Sequence, residues 1–412
     1  MRIAAEFRSL RTLWYLCRPM ISLNDFEYDL PDNRIAMRPA DERDGSRLLV
    51  FRKGEIRHQS FRDLPEQLPQ GSLLIFNDTR VIPARLEFFN ENGARIEIFL
   101  LNPSEGDHAA SLSSGSPARW ICMTGNRKRW KPDTALELQT ENLRLSVTAS
   151  GEGEEITLNW SPSELPLAFV LEQAGKMPLP PYIKRAADEA DKDRYQTVFA
   201  QNNGAVAAPT ASLHFTPQVL GDLDQKGIDS ARVTLHVGAG TFLPVKTENI
   251  LEHRMHAEQT RVSRSVIEKI LNHDGPVIPV GTTSLRTLES LFWIGHMVQQ
   301  QAVDLRDATD ISQDYPYLER KHPDYREVLK TLLEEMLNQG VTHLTGATSL
   351  FIRPGYRFGI TRGLITNFHQ PKSTLLMLIA SLIGDDWKKV YQEALMGNYR
   401  FLSYGDSSLL LP

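Results

Sequence analysis

Three rhythms of apolar and polar residues alternate along this chain. Over residues 47–61 the runs LLVF and IRHQSF flank Arg52-Lys53-Gly54-Glu55, a pattern that predicts a hairpin with Gly54 supplying the turn. LLIF at 73–76 has no polar face and predicts a buried strand; it runs directly into Asn77-Asp78-Thr79-Arg80, a polar cluster at a strand's carboxyl end, where α/β sheets commonly place chemistry. From 85 to 160 the rhythm shortens to RLEFF, ARIEIFLL, ARWICM, LELQ, LRLSV and EITLNW, separated by Gly, Asn and Ser without a helical pattern. That stretch predicts a small all-β, barrel-like domain. Its segment 102–117, rich in Ser and Gly, reads as a mobile loop.

Helical spacing returns at 165–174, stopped by Gly175, and again after Thr216-Pro217, where Thr caps and Pro occupies the first turn until Gly227. Strands at 232–237, 277–280 and 364–368 then alternate with helices near 265–271, 285–298 and 374–383, and 325–338 forms one more amphipathic helix before Gly340. Such alternation predicts an α/β core. The expected fold is therefore mixed α+β: a larger α/β barrel-like core domain from residues 21–84 plus 161–412, carrying an inserted β-barrel domain at 85–160. Residues 1–20 hold four arginines and no unbroken apolar stretch, so they read as an extension better explained by a start site set too early than by a secretory signal.

Composition narrows the class. At 412 residues with 41% hydrophobic and 24% charged positions, the chain can bury two or three cores. Its 46 basic against 51 acidic residues leave a formal charge of -5, so any nucleic-acid contact must come from local basic patches. Cys17 and Cys122 are the only cysteines, which excludes a disulfide framework and fits a reducing cytosol. No apolar run reaches the roughly 18 residues of a membrane span.

Chemistry concentrates at strand ends. In PVIPVGTTSLRTLESLF an apolar strand stops at Gly281 and a helix starts after Thr282-Thr283-Ser284. Those hydroxyls and the free N–H groups of a helix start suit a carboxylate or phosphate, although a well-capped helix is the plain alternative; Arg286 and Glu289 follow one turn in. ITNFHQPKSTLLML repeats this logic, with His369 and Lys372 in the connection. In RVTLHVGAGTF, Val233, Leu235 and Val237 share one face, so His236 points away from it, and Gly238 and Gly240 let the backbone approach a ligand without forming a dinucleotide fingerprint. His253 and His256 are three apart, as metal ligands on a helix can be, but HExxH is absent, and so are a GxSxG elbow and a P-loop. Arg127, Lys128, Arg129 and Lys131 surround Trp130, and Lys184-Arg185 follow MPLPPYI; basic groups beside an aromatic can bind phosphate and stack a base, or simply form a solvated loop.

Taken in order, FEYDLP, IAMRPA, FNDTRVIPARL, GKMPLPPYIKR, RYQTVFA, GAVAAPTASLHFT, HVGAGTFLPV, HRMHAE, VGTTSLRTLES, RPGYRF, ITNFHQPKSTLLML and YRFLSYGD resemble the S-adenosylmethionine:tRNA ribosyltransferase-isomerase family of queuosine biosynthesis, from about residue 24 to 410. The chain departs from that pattern at Ser212 and Gln370, where Gly and Leu are expected, at Gln201-Asn202-Asn203, and in an expanded region at 293–343. The resemblance implies transfer of the ribosyl part of S-adenosylmethionine to 7-aminomethyl-7-deazaguanine at the tRNA wobble position, giving epoxyqueuosine, adenine and methionine. It implies deprotonation beside the sulfonium, attack of the aminomethyl nitrogen on the sugar, loss of adenine and epoxide closure, with S-adenosylmethionine as co-substrate and neither a metal nor a permanently bound cofactor. Imidazole or carboxylate suits the proton transfers, and the candidates are His236, His214 and Asp78, in that order. Arg80, Gly238, Gly240, Thr282, Thr283, Arg286 and Glu289 are the candidates for holding S-adenosylmethionine, the first arginine, the threonines and Arg286 through its carboxylate. His369, Lys372, Lys184, Arg185, Arg127, Lys128, Arg129 and Lys131 are the candidates for substrate and tRNA. A cytoplasmic monomer is expected. The competing readings are a non-catalytic tRNA-binding module, a metal-dependent hydrolase built on His253 and His256, and an ordinary methyltransferase, for which a glycine-rich nucleotide loop is missing.

Overall fold

The computed structural model describes residues 21–131, 134–149, 154–238, 245, 247–307 and 309–412. The N-terminal extension and Gly240 lie outside the described residues. After three short 3-10 turns between Leu23 and Gly45, the first strands form the antiparallel hairpin β1 (Arg47–Arg52) and β2 (Glu55–Ser60), whose turn residues Lys53 and Gly54 both have positive φ, 49° and 84°, as a tight two-residue turn requires. β3 (Leu73–Asn77) is buried along its whole length, which explains its unbroken apolar sequence. After Asp78 the chain continues as the short β4 (Thr79–Val81).

Six strands then build the insert: β5 (Arg85–Phe89), β6 (Arg95–Pro103), β7 (Ala118–Gly125), β8 (Leu136–Gln139), β9 (Arg144–Ala149) and β10 (Glu155–Ser161). They pair antiparallel in the order β5-β6-β7-β10-β9-β8, and β5 packs back against β8, so the barrel is nearly closed. Alternate residues such as Ile156, Leu158 and Trp160 fill its interior. The segment at 102–117 differs from the loop its composition predicts. Asp107 caps a short helix α1 (His108–Ser113), accepting a hydrogen bond from the Ala110 N–H at 2.7 Å, and His108 and Leu112 are buried. Six residues are too few to show helical periodicity, and the surrounding serines hide the cap. Helix α2 (Leu167–Ala174) lays Leu167, Val170 and Leu171 on the barrel core and ends at Gly175, where a Cβ would fall 1.9 Å from the Pro83 carbonyl oxygen.

The remaining chain completes the core: β11 (Asn202–Ala205), α3 (Pro217–Gln225), β12 (Asp229–Leu235), β13 (Glu258–Ser263), α4 (Arg264–Leu271), β14 (Val277–Pro279), α5 (Thr282–Gln299), α6 (Tyr325–Asn338), β15 (His343–Thr348), β16 (Leu364–Asn367), α7 (Thr374–Ile383), α8 (Asp386–Met396) and β17 (Ser407–Leu411). One sheet runs β14-β3-β12-β13-β15 and another β16-β17-β1-β2, while β11 pairs with β4. Val280 bridges to Ile365, and the Gly281 N–H donates to the Ile365 carbonyl at 2.8 Å, which joins the five-stranded and four-stranded sheets. α5 lies under this surface with every residue buried except Met297 and Gln299. α6, in the expanded region, covers α5 through a close approach at Gly295, where a Cβ would meet Val328 at 2.5 Å. The architecture is the mixed α+β core with a small β-barrel that the residue pattern predicts. Among the described residues, no helix is long and apolar enough to cross a membrane.

Candidate active site

Two adjoining cavities meet at Arg286 and Leu375. The first is walled by three chain segments: Ala207 to Ala211, Gly281 to Thr283 at the start of α5, and the connection from Asn367 to Ser373 after β16. The second lies between barrel and core, with Leu101, Asn102 and Met123 on the barrel side and His236, Gly238 and Glu258 on the other. The strand-end segments singled out in the sequence therefore converge on one cleft.

Asn77 fastens these ends together. Its buried amide donates to the Leu235 carbonyl at 2.9 Å and to Thr283 Oγ1 at 3.4 Å, and its oxygen accepts from the Thr79 and Leu235 N–H groups, both at 3.1 Å. Sequence reasoning missed this role, although a polar residue closing an apolar strand was the available signal. Asp78 accepts from Thr234 Oγ1 at 2.7 Å and lines neither cavity; nor does Arg80, which is exposed, with Glu172 at 3.9 Å. Gly281 has φ 90°, and no side chain caps α5, so the first N–H groups of the helix remain for a ligand beside Thr282 and Thr283.

Three imidazoles occupy different places. His236 lines the second cavity, with Nδ1 2.9 Å from Thr79 Oγ1, whose own hydroxyl reaches the Asn202 carbonyl at 3.4 Å. With the Thr79 hydroxyl turned to the Asn202 carbonyl, its oxygen accepts from Nδ1–H, the tautomer in which Nε2 keeps its lone pair; with the hydroxyl turned to Nδ1, the proton sits on Nε2. Burial, reinforced by His108, pushes His236 down to about 4 against an upward pull from Asp107. His214 lies behind the first cavity: it accepts from Asn367 Nδ2 at 3.3 Å, and burial pushes it down to about 4. Asn367 itself lines the cavity and also accepts from Thr210 Oγ1 at 2.9 Å, so His214 reaches the cleft only through it. His369 is partly open to the first cavity; Nε2 contacts Thr366 Oγ1 at 2.9 Å, the backbone N–H of His369 donates to the Tyr391 oxygen at 3.0 Å, and burial pushes the imidazole down to about 3. Gln370 lines the same cavity, whereas Ser212 is buried outside its lining. Lys372 lines neither cavity and pairs with Glu27 at 3.0 Å.

At the junction, the buried Arg286 guanidinium pairs with Glu258 and donates to the Leu350 and Thr348 carbonyls, each at 3.2 Å. The other Glu258 oxygen accepts from the Gly238 N–H at 3.3 Å. Glu289 lies away from both cavities. Its carboxylate is fully buried and accepts from the N–H groups of Gly359, Ile360 and Thr361 at 2.8, 3.2 and 2.9 Å and from Tyr356 Oη at 3.1 Å. His253 and His256 do line the second cavity, but on an irregular segment and not on the helix their spacing allowed, and among the described residues no group of three or more His, Cys, Asp or Glu is placed to hold a metal ion.

The basic residues fall on two faces. Lys128, Arg129 and Lys131 are exposed at the end of β7, with Arg127 half-buried beside them. Trp130 does not join them: it is only 3% exposed, turned into the barrel core, with Nε1 donating to the Thr134 carbonyl at 2.8 Å. The stacking role its sequence neighbours suggested is thereby removed. Lys184 is exposed and pairs with Asp32 at 3.1 Å, whereas Arg185 is held by both oxygens of Asp191 at 2.6 and 2.7 Å, which Tyr404 Oη also reaches at 2.7 Å.

With this geometry established, known proteins supply a comparison. The family model described as queuosine biosynthesis protein matches residues 23–410. A protein of Sphingopyxis alaskensis named S-adenosylmethionine:tRNA ribosyltransferase-isomerase is 42% identical over 394 residues, covering 94% of this chain and 96% of that protein. One of the same name from Phenylobacterium zucineum is 40% identical over 407 residues, covering 95% and 99%. The crystal structure of an S-adenosylmethionine tRNA ribosyltransferase from Thermotoga maritima aligns over 94% of this chain and 100% of that one, at 27% identity and a TM-score of 0.45.

Proposed function

The chain belongs to the queuosine biosynthesis protein family, and from that membership we propose that it transfers and isomerises the ribosyl moiety of S-adenosylmethionine onto 7-aminomethyl-7-deazaguanine at the wobble position of tRNA, in the cytoplasm. The products are epoxyqueuosine in tRNA, adenine and methionine. The observation that carries the site assignment is the convergence of four separate strand-end segments on one cleft between the core and the barrel.

Within that cleft each group has a task its chemistry suits. The uncapped start of α5, with Thr282 and Thr283, receives the methionine carboxylate of the donor. His236 Nε2 takes the proton beside the sulfonium, for which a neutral imidazole is required. The aminomethyl nitrogen then attacks the sugar, and the proton gained by His236 is available to the departing adenine. Arg286, neutralised by Glu258, shapes the passage between the cavities without presenting net charge to the sulfonium. The exposed cations at the end of β7 take tRNA phosphates.

Mass analysis of precursor tRNA incubated with S-adenosylmethionine tests this reading. A gain corresponding to the ribosyl group, together with free adenine, is expected. A methyl-sized gain or an unchanged tRNA would overturn it. His236→Ala should abolish turnover with the fold intact, and near-normal turnover would remove His236 from the mechanism.

A further inference from the structure

A second imidazole stands behind the first, and it comes from the other domain. His108, the first residue of α1, is 4% exposed and crosses from the barrel insert to the core. Its Nδ1 lies 2.9 Å from Gln259 Oε1, and the backbone carbonyl of that same glutamine accepts from the His236 N–H at 3.0 Å. The rings of His108 and His236 are 5.4 Å apart and tilted by 36°. Behind His108, Trp120 of the barrel core presents an edge-on ring at 5.6 Å. β11 closes the remaining side at Gly204, where a Cβ would lie 2.7 Å from His236 Nδ1 and 3.0 Å from His108 Cβ. His236 is thus held between a glycine backbone and a barrel imidazole, with Thr79 on Nδ1.

We propose that His108 is a positioning residue for the reaction: through Gln259 and ring packing, the barrel insert holds His236 so that its Nε2 faces the second cavity. This rests on reading His236 as the proton acceptor. His108 itself lines neither cavity and acts through His236, which does. A second contribution is electrostatic, since a neighbouring imidazole disfavours a positive charge on His236, while Asp107, which caps α1, opposes it; among the described residues, the other charged or titratable groups facing that cavity are His253, His256, Glu258 and Arg286.

The test is steady-state kinetics across pH on the full chain with its tRNA substrate. His108→Ala should lower kcat about 10- to 100-fold at neutral pH, with the KM for S-adenosylmethionine within about twofold of the parent. It should also move the acidic limb of the kcat profile to a new position at higher pH than in the parent, because burial still lowers the His236 pKa but the neighbouring imidazole no longer adds to that effect. His108→Asn, which keeps an N–H toward Gln259, should recover turnover at neutral pH while retaining the shifted limb. Parent-like kinetics, a rise in KM alone, or a kcat loss with an unmoved profile would each overturn the proposal. If the alanine variant does not fold, the limb of the asparagine variant decides the question. His236→Ala separates two failures. If it stays active, the assignment of His236 falls and this role falls with it. If it is inactive while the His108 variants match the parent, only His108 loses its role.

Discussion

Replacing Glu289 by glutamine changes one atom in a carboxylate that four donors surround. In the parent, one oxygen takes the Ile360 and Thr361 N–H groups and the other takes the Gly359 N–H and Tyr356 Oη. Glutamine keeps a carbonyl oxygen for the first pair but turns an NH2 toward the second. The tyrosine oxygen, which already accepts from Trp293 Nε1 at 2.8 Å, can take a second donor only by turning its own proton away from the side chain, and the Gly359 N–H cannot adapt at all. At least the Gly359 N–H then goes unpaired, costing about 1–3 kcal/mol, and the remaining bonds lose charge assistance of about 1 kcal/mol each, partly offset because no charge is buried. The net is about 2–4 kcal/mol, or roughly 5 °C in Tm at about 2 °C per kcal/mol for a long chain. Because Glu289 lies away from both cavities, the KM for S-adenosylmethionine should stay within about twofold. Thermal unfolding and steady-state kinetics on the same preparation decide the matter. An unchanged Tm with a KM raised tenfold or more would refute the reasoning and return Glu289 to the ligand site.

Gly204→Ala should reduce turnover at least about tenfold, since its Cβ would fall 2.7 Å from His236 Nδ1 on a backbone with φ 150°; parent-like turnover would show that the placement of His236 is not constrained there. Neutralising Arg127, Lys128, Arg129 and Lys131 together should weaken tRNA binding and flatten the slope of log affinity against log salt by about 0.7–0.9 for each phosphate no longer neutralised, whereas an unchanged slope would clear that face of a role in binding. Trp130→Ala should destabilise the barrel by about 3 kcal/mol or more; loss of tRNA binding at unchanged stability would restore the stacking role. His214 is pushed down to about 4 in the folded chain and returns to about 6.5 on unfolding, so the unfolded state binds more protons between those values. Stability should therefore fall by up to roughly 3 kcal/mol as pH drops across that window, and denaturant titrations of His214→Gln should show a shallower fall.

Elements whose sequence obeys a single period were readable. β3 extends one residue beyond its apolar run, and the helix Tyr325–Asn338 has the limits its amphipathic spacing indicates. α5 begins three residues earlier than apolar spacing places it, because a helix buried on nearly every side carries Thr282, Thr283 and Ser284 inside the protein as well. α1 left no periodic trace, and His108 was passed over with it, since its partners Gln259 and His236 lie outside the six-stranded barrel and far along the chain. Charge was the least legible feature. Glu289 and Arg185 both advertise ligand chemistry in one dimension, but the donors around Glu289 lie about 70 residues onward, and Arg185 is held by a buried aspartate that Tyr404 also holds. A residue's type shows what it can bind, while its partner is set by topology.

The segment GAVAAPTASLHFT shows the opposite limit, where residues matter for the atoms they lack. Ala207, Ala208 and Ala211 form part of the wall of the first cavity, while Ala205 and Ala207 pack against Leu235 and Val237 at the end of β12. A larger side chain at Ala208 or Ala211 would either occupy the cavity or push this wall away from the Gly281 turn before α5, where an added Cβ would already lie 3.6 Å from Ala211 Cβ. The segment ends in a short 3-10 turn over Thr210–His214, so neither a two-residue nor a 3.6-residue period can mark it. Its Thr210 and His214 both bond Asn367, tying the alanine wall to the strand end that carries His369. The volume of the cleft is thus set by small residues from one segment, and its chemistry by polar residues from three others. A change at Ala208 should therefore act on donor binding, and a change at His236 on turnover.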